Sequence, residues 1–61
     1  MRTYKLTVFE ANGEKILDEA FQAGSNDEAK KLGEEKITQK GFEQKSYRCT
    51  SSDGKLLLFH Q

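Results

Sequence analysis

The side chains best suited to chemistry are a single cysteine and a single histidine, Cys49 and His60. A thiol and an imidazole act as a catalytic pair only when they lie within hydrogen-bond reach of each other. The predicted strands place Cys49 opposite Leu57 or Leu58, so His60 lies two or three residues farther along. We therefore interpret Cys49 as a small packing residue and His60 as a solvated side chain near the C-terminus.

Carboxylates are the next candidates, because acid–base catalysis and metal binding need acidic side chains that converge in a cleft. Caps, turns and cross-strand pairs account for most of the ten acidic residues in this chain. The sequence also has no Gly-rich phosphate loop and no cluster of Cys and His with metal-ligand spacing. We expect that the protein is not an enzyme, with no catalytic, cofactor-binding or metal-binding residue and no cofactor.

Basic residues beside aromatic ones indicate an alternative function. Lys5, Tyr47 and Arg48 could bind single-stranded nucleic acid, since a sheet with exposed aromatic rings stacks bases. However, ten basic residues balance ten acidic ones, so the formal net charge is zero. Net charge therefore does not direct the chain to nucleic acid or to an anionic membrane. Nucleic acid remains the less expected partner.

The length of 61 residues indicates one small domain, residues 1–61. A chain this short buries only about 60% of its unfolded surface, and one cysteine cannot close an internal disulfide. Self-association is therefore an expected source of stability. The N-terminus resembles a strand rather than a signal segment, and the longest apolar run, Leu56–Phe59, is too short for a bilayer. We expect a cytoplasmic protein without a membrane segment.

The elements that must position these residues begin with a hairpin around Asn12-Gly13. Asn and Gly tolerate the positive φ of tight turns, so the pair predicts a two-residue turn between strands 3–10 and 14–23. That register places Val8 opposite Leu17 and Glu10 opposite Lys15. A three-residue loop would invert the second strand and turn its polar side chains toward the core.

A helix follows the first hairpin and should run from about Asn26 to Lys40. Ser25 and Glu28 have the spacing of a capping box, in which the Ser25 hydroxyl accepts from the Glu28 amide and the Glu28 side chain returns to the Ser25 N–H. Gly41 should end the helix in a left-handed conformation. Gly33, on the apolar stripe, predicts a close approach of helix and sheet.

The second hairpin turns at Ser52-Asp53-Gly54, which favours a three-residue loop. In that register Cys49 pairs with Leu57 on the core face, and Leu56 and Leu58 lie on the other face. A two-residue turn would exchange the two faces. In both registers the last strand is apolar on each side.

The predicted fold is α+β with the order ββαββ: a four-stranded, mainly antiparallel sheet with one helix packed on one face. A right-handed crossover favours the strand order 2-1-3-4, with 1-2-3-4 as the alternative. The apolar stripes predict a core of Tyr4, Leu6, Val8, Leu17, Phe21, Ala29, Leu32, Ile37, Phe42, Cys49 and Leu57.

One helix covers only one side of such a sheet, so the other side should hold an interface. In the favoured registers its apolar residues are Phe9, Ile16, Leu56 and Leu58. We expect a protein-interaction module that acts through a sheet face or edge, and a homodimer formed through this face.

Several segments of the chain together resemble the YhzD-like family of small uncharacterised Bacillus proteins. The resemblance rests on Tyr4–Glu10, Asn12-Gly13, Leu17–Glu19, Phe21 and Gly54–His60, and includes Ala29, Gly41 and Arg48-Cys49 in between. It covers nearly the whole chain. It implies a cytosolic protein of a Gram-positive bacterium, and it supplies no catalytic or binding residues to carry over.

Overall fold

The computed structural model describes residues 1–60 and contains four strands and one helix. The elements are β1 (Arg2–Phe9), β2 (Lys15–Ala23), α1 (Asn26–Lys40), β3 (Ser46–Ser51) and β4 (Leu56–His60). The strands form one sheet in the order β2-β1-β3-β4, and each neighbouring pair is antiparallel. The predicted ββαββ arrangement and the predicted strand order are confirmed.

The N-terminus of α1 has the expected cap, with one difference. The Ser25 hydroxyl accepts from the Glu28 N–H at 3.2 Å. The Glu28 carboxylate returns to the Gly24 N–H at 3.3 Å, and not to that of Ser25 as predicted. The cap therefore reaches one residue farther back. The Ser25 hydroxyl satisfies one backbone donor that the first helical turn leaves open, and the Glu28 carboxylate binds the N–H of the residue before the cap.

The C-terminus of α1 ends where the sequence predicts. Gly41 has a φ of 72°, in the left-handed region, and its N–H donates to the Thr38 carbonyl. The Phe42 N–H donates to the Ile37 carbonyl at 2.9 Å, which completes a Schellman motif. Phe42 packs against the core cluster that contains Ile37, so the helix end is also held by apolar contact.

The first hairpin has a three-residue loop, so the predicted two-residue turn is wrong. Glu10 and Glu14 close the loop, since the Glu10 N–H donates to the Glu14 carbonyl at 2.8 Å. Gly13 has a φ of 90°, whereas Asn12 does not have the positive φ that a two-residue type I′ turn requires. Glu10 therefore does not face Lys15 as predicted.

A β-bulge restores the predicted register beyond this loop. Phe9 pairs with Lys15 and Val8 pairs with Leu17, so Ile16 is an extra residue on β2. A three-residue loop alone would have turned the polar side chains of β2 toward the core. The bulge corrects this shift, because one extra residue returns the following side chains to their original faces.

The second hairpin has the predicted three-residue loop but a different register. The Ser51 N–H donates to the Lys55 carbonyl, and Gly54 has a φ of 88°. Farther along, Cys49 pairs with Leu58, so the predicted pairing of Cys49 with Leu57 is wrong.

The cause is a second bulge, in which Leu57 is the extra residue on β4. Thr50 pairs with Leu56, and the register shifts before Cys49 pairs with Leu58. Leu57 packs against one core cluster and Leu58 against the other. The predicted position of Leu58 on the face away from the helix is therefore wrong, because the bulge lets two consecutive leucines contribute to the core.

The core lies between α1 and one face of the sheet. Tyr4 and Ala29 form one buried cluster with Ala23, which the predicted core did not include. The fully buried hydrophobic residues are Tyr4, Leu6, Val8, Ala23, Ala29, Ile37 and Cys49. The remaining predicted core residues, Leu17, Phe21, Leu32, Phe42 and Leu57, are half-buried and pack against these clusters.

Candidate functional site

The lone cysteine and histidine lie in separate environments. Cys49 is fully buried, and this burial raises the pKa of its thiol. The His60 ring stacks on Tyr47 with 5.2 Å between ring centroids, and its Nδ1 lies 3.0 Å from the Lys45 carbonyl oxygen. His60 is thus half-buried, and the expectation of a solvated side chain is wrong. Because Cys49 lies opposite Leu58, the two groups do not form a pair.

Within residues 1–60, three acidic side chains pair with lysines at separate places on the fold. They are Glu10, Asp18 and Glu19. Glu10 lies 2.8 Å from the Lys45 ammonium, at the end of the sheet near the first loop. Glu19 lies 2.6 Å from Lys36 on the helix, and this hydrogen bond lowers the pKa of the Glu19 carboxyl. Within residues 1–60, no three His, Cys, Asp or Glu side chains lie close enough to hold a metal ion.

The sheet surface opposite α1, which we call the outer face, is not covered by any element within residues 1–60. One cross-strand row on it consists of Asp18, Thr7, Arg48 and Phe59, from β2 to β4. The next row consists of Ala20, Lys5, Thr50 and Leu56. A third holds Lys15, Phe9 and Ser46. These rows follow from the register because residues paired across strands point to the same face.

The most exposed large apolar side chains of the sheet lie on this outer face. Phe59 is 54% exposed and Leu56 is 49% exposed. The Arg48 guanidinium carbon lies 5.7 Å from the centroid of the Phe59 ring, which is the distance of a cation–π contact. A depression of about 130 Å³ lies beside this pair and is lined by Phe9, Ser46, Tyr47, Arg48, Phe59 and His60. It is smaller than the roughly 300 Å³ at which small-molecule pockets begin.

The predicted interface residues are only partly brought together. Phe9 and Leu56 lie on the outer face, Ile16 forms the bulge of the edge strand β2, and Leu58 lies in the core. Phe59 was not among the predicted interface residues, because the unshifted register of the second hairpin directs it toward the helix. Phe59 follows three consecutive leucines, and this run gave no signal of the bulge that turns the Phe59 side chain to the outer face.

The residues predicted for nucleic-acid contact are divided between two faces. Lys5 and Arg48 lie on the outer face, where Lys5 pairs with Asp18 at 3.4 Å. Tyr47 packs against the core cluster on the helix side and stacks on His60. The three side chains therefore do not lie on one face of the sheet, although Tyr47 and Arg48 both line the depression beside Phe59.

Comparison with known proteins gives a family assignment. A family model described as YhzD-like protein matches residues 1–61. The chain belongs to the YhzD-like family. It is 36% identical to a protein of Bacillus subtilis (strain 168) described as "Uncharacterized protein YhzD", over the full length of both chains. No solved structure matches the chain.

The two edges of the sheet in this YhzD-like family member are β2 and β4, and each carries a β-bulge. The bulges, at Ile16 and Leu57, lie near the start of each edge strand, and the register of β2 is regular from Leu17 to Ala23. Lys15 and Asp18 add charge along β2. Within residues 1–60, no helix has the length and apolar character needed to cross a membrane.

Proposed function

We propose that this protein is a non-enzymatic protein-interaction module that binds its partner through the outer face. The observation that carries the proposal is the position of Phe59, which is 54% exposed on an uncovered sheet surface with Arg48 over its ring. Aromatic side chains and arginine are enriched where protein interfaces gain most of their binding energy. Phe9 and Leu56 extend the apolar area along the same face.

The face is a better binding surface than either edge. Partner strands add to a sheet through a continuous row of backbone donors and acceptors. The bulges at Ile16 and Leu57 bend both edge strands near their starts, although β2 is regular from Leu17 to Ala23. The outer face carries the most exposed large apolar side chains of the sheet, so side-chain contact there is the favoured mode of association.

The chemistry of the reactive side chains supports a role without catalysis. A nucleophilic cysteine needs a lowered pKa and access to substrate, whereas Cys49 is buried and its pKa is raised by that burial. A buried free thiol is compatible with a reducing compartment, and we propose that the module works in the cytoplasm.

Site-specific photo-crosslinking in living cells tests the proposal. A benzophenone side chain placed at Phe59 or Leu56 should form covalent adducts with protein. The same group at Thr38 or Glu35, which are exposed residues of α1, is the matched control and should form few adducts. An adduct with the mass of two chains identifies a second copy, and any other mass identifies a different protein.

Two results would contradict the proposal. One is an equal adduct yield from the helix positions and the outer-face positions, because binding would then not depend on this face. The other is tight, saturable binding of mixed-sequence oligonucleotides that weakens steeply with salt, since that behaviour is typical of nucleic-acid binding. In that case Arg48→Ala and Lys5→Ala should weaken the binding.

A further inference from the structure

We infer that Asn12 is a site of spontaneous deamidation, at which the first hairpin both slows the reaction and accommodates its aspartate product. The inference concerns the loop between β1 and β2 and does not depend on the outer face. Three observations carry it: the exposed Asn12-Gly13 pair, the hydrogen bonds that hold both residues, and an aspartate at the equivalent position of the second hairpin.

The Asn12-Gly13 pair has the groups that deamidation needs. The Gly13 backbone nitrogen loses its proton and attacks Cγ of Asn12, which closes a five-membered imide. The Cγ–Nδ2 bond breaks, and the leaving nitrogen takes up a proton and departs as ammonia. Water then opens the imide at one of its two carbonyl groups, to give aspartate or isoaspartate, so that one water is consumed for each ammonia released. Glycine permits the attack because it has no Cβ beside the nitrogen, and both residues are exposed to water.

Two hydrogen bonds hold these residues in the folded loop, and they have opposite effects on the reaction. The Glu14 N–H donates to Asn12 Oδ1 at 3.0 Å, which polarises the side-chain carbonyl group and favours attack on Cγ. The Gly13 N–H donates to the Glu10 carbonyl at 2.9 Å. This second bond opposes the reaction, because the Gly13 nitrogen becomes a nucleophile only after it loses the proton that the bond holds. Deamidation therefore requires the bond between Gly13 and Glu10 to break.

The loop is fixed to the sheet on both sides of the reacting pair. The Glu10 N–H donates to the Glu14 carbonyl at 2.8 Å, and the Glu10 carboxylate lies 2.8 Å from the Lys45 ammonium. A reaction that needs an open loop proceeds at the rate of the open state multiplied by its population. We expect Asn12 in the folded protein to deamidate at least about tenfold more slowly than in the unfolded chain.

The second hairpin shows that an aspartate is compatible with this loop. Asp53 has the place in its loop that Asn12 has in the first, because the Gly54 N–H donates to the Ser51 carbonyl at 3.0 Å. The two turn glycines also have nearly the same φ, 90° at Gly13 and 88° at Gly54. An aspartate at position 12 keeps an oxygen acceptor for the Glu14 N–H. Deamidation to aspartate thus adds one negative charge to a chain of zero formal net charge while the hairpin remains folded.

Isoaspartate does not fit the loop in the same way. In this product the Cβ atom of residue 12 becomes part of the main chain, so the loop is one atom longer. The bond from the Gly13 N–H to the Glu10 carbonyl depends on the length of that segment. We expect the hairpin to accept aspartate and to be destabilised by isoaspartate.

Deamidation kinetics test the inference on the whole chain. The protein is incubated in one alkaline buffer with and without a denaturing concentration of urea, and the peptide that contains Asn12 is followed by liquid chromatography and mass spectrometry. This separates asparagine, aspartate and isoaspartate. The two products are also made directly, as Asn12→Asp and as a synthetic chain with isoaspartate at position 12. In circular dichroism the first should melt like the wild type and the second at a lower temperature.

A matched pair of variants tests whether the first hairpin controls the rate. Leu17→Ala weakens the packing of β2 just beyond the loop, and Leu57→Ala makes the same change at a half-buried leucine of β4. Neither alters the reacting pair. Leu17→Ala should speed the deamidation of Asn12 at least about threefold more than Leu57→Ala does. Chemical denaturation shows whether both variants are folded in the assay buffer, and Leu→Val at both positions replaces them if they are not.

Three results would overturn the inference. Equal rates in the folded and the unfolded chain mean that the hairpin does not slow the reaction. Equal acceleration by the two leucine variants means that the first hairpin does not control it. Loss of cooperative melting in Asn12→Asp means that the loop does not accommodate the product. The proposed function stands or falls by the crosslinking experiment, which none of these results affects.

Discussion

Among single residues, Gly33 shows how packing against the sheet limits the size of the side chain that the helix can have at one position. A Cβ atom at this position would lie 3.1 Å from Leu58 Cδ1 and 3.6 Å from Cys49 Sγ. Glycine inside a helix costs about 1 kcal/mol relative to alanine. The close approach of α1 to β3 and β4 offsets this cost, because a larger residue would separate the helix from the buried Cys49 and the half-buried Leu58.

We expect Gly33→Val to lower the free energy of unfolding by about 1–3 kcal/mol, because two further methyl groups would overpack this contact. Glu34→Val is the matched control, since Glu34 is exposed on the same helix and the change introduces the same β-branched side chain. Chemical denaturation of both variants gives the comparison. Equal stability of the two variants would show that helix and sheet separate at Gly33 without cost.

At the scale of elements, α1 is held at its start by contacts with two different parts of the chain. The Ser25 hydroxyl accepts from the Glu28 N–H, and the Tyr4 hydroxyl donates to Asn26 Oδ1 at 2.8 Å. The first contact is local and caps the helix. The second joins the helix start to β1, so the buried Tyr4 ring has a partner for its polar atom.

Removal of the cap should destabilise the helix by a measurable amount. Ser25→Ala should lower the free energy of unfolding by about 1 kcal/mol, because the Glu28 N–H loses its acceptor. Ser25→Asp keeps an acceptor in the same place and should remain within about 0.5 kcal/mol of the wild type. Thermal unfolding followed by circular dichroism measures both. A neutral Ser25→Ala variant would mean that water replaces the cap without loss.

At the scale of the whole molecule, several carboxyl groups make stability depend on pH. The hydrogen bond from Lys36 lowers the pKa of Glu19, the one from Lys15 lowers that of Asp18, and the Ser51 hydroxyl lowers that of Asp53. The folded state therefore holds these protons less tightly than the unfolded state. Stability from this source is complete above the unfolded-state pKa values and is lost as pH falls through the folded-state values.

We expect Glu19→Gln to reduce this acid sensitivity. The ordinary pKa of the group is 4.5, so the wild type should lose the Glu19 contribution as pH falls below that value. The variant lacks this contribution and should show a shallower loss between about pH 5 and pH 3. Lys36→Gln removes the cause of the lowered pKa and should give the same shallower loss. Urea unfolding at a series of pH values tests this, and an unchanged slope in both variants would contradict it.

The ends of the helix and the order of the strands follow from the sequence alone. The helix runs from Asn26 to Lys40 as predicted, because Ser25 and Gly41 act within a few residues of its ends. The order of the strands was also predictable, since the handedness of a crossover depends little on the particular side chains. These features need only neighbours in the chain or a general rule of topology.

The loop length of the first hairpin and the register of the second depend on the tertiary structure. Three-residue loops form at both Gly13 and Gly54, although Asn12-Gly13 predicted a two-residue turn, while burial of the core requires a different register farther along the strands. Bulges at Ile16 and Leu57 reconcile the two requirements, each three residues after the turn glycine. The position of a bulge depends on packing summed over the whole sheet and α1, which no local pattern encodes. For this reason the outer face, with Phe59 in place of Leu58, could be located only from the folded chain.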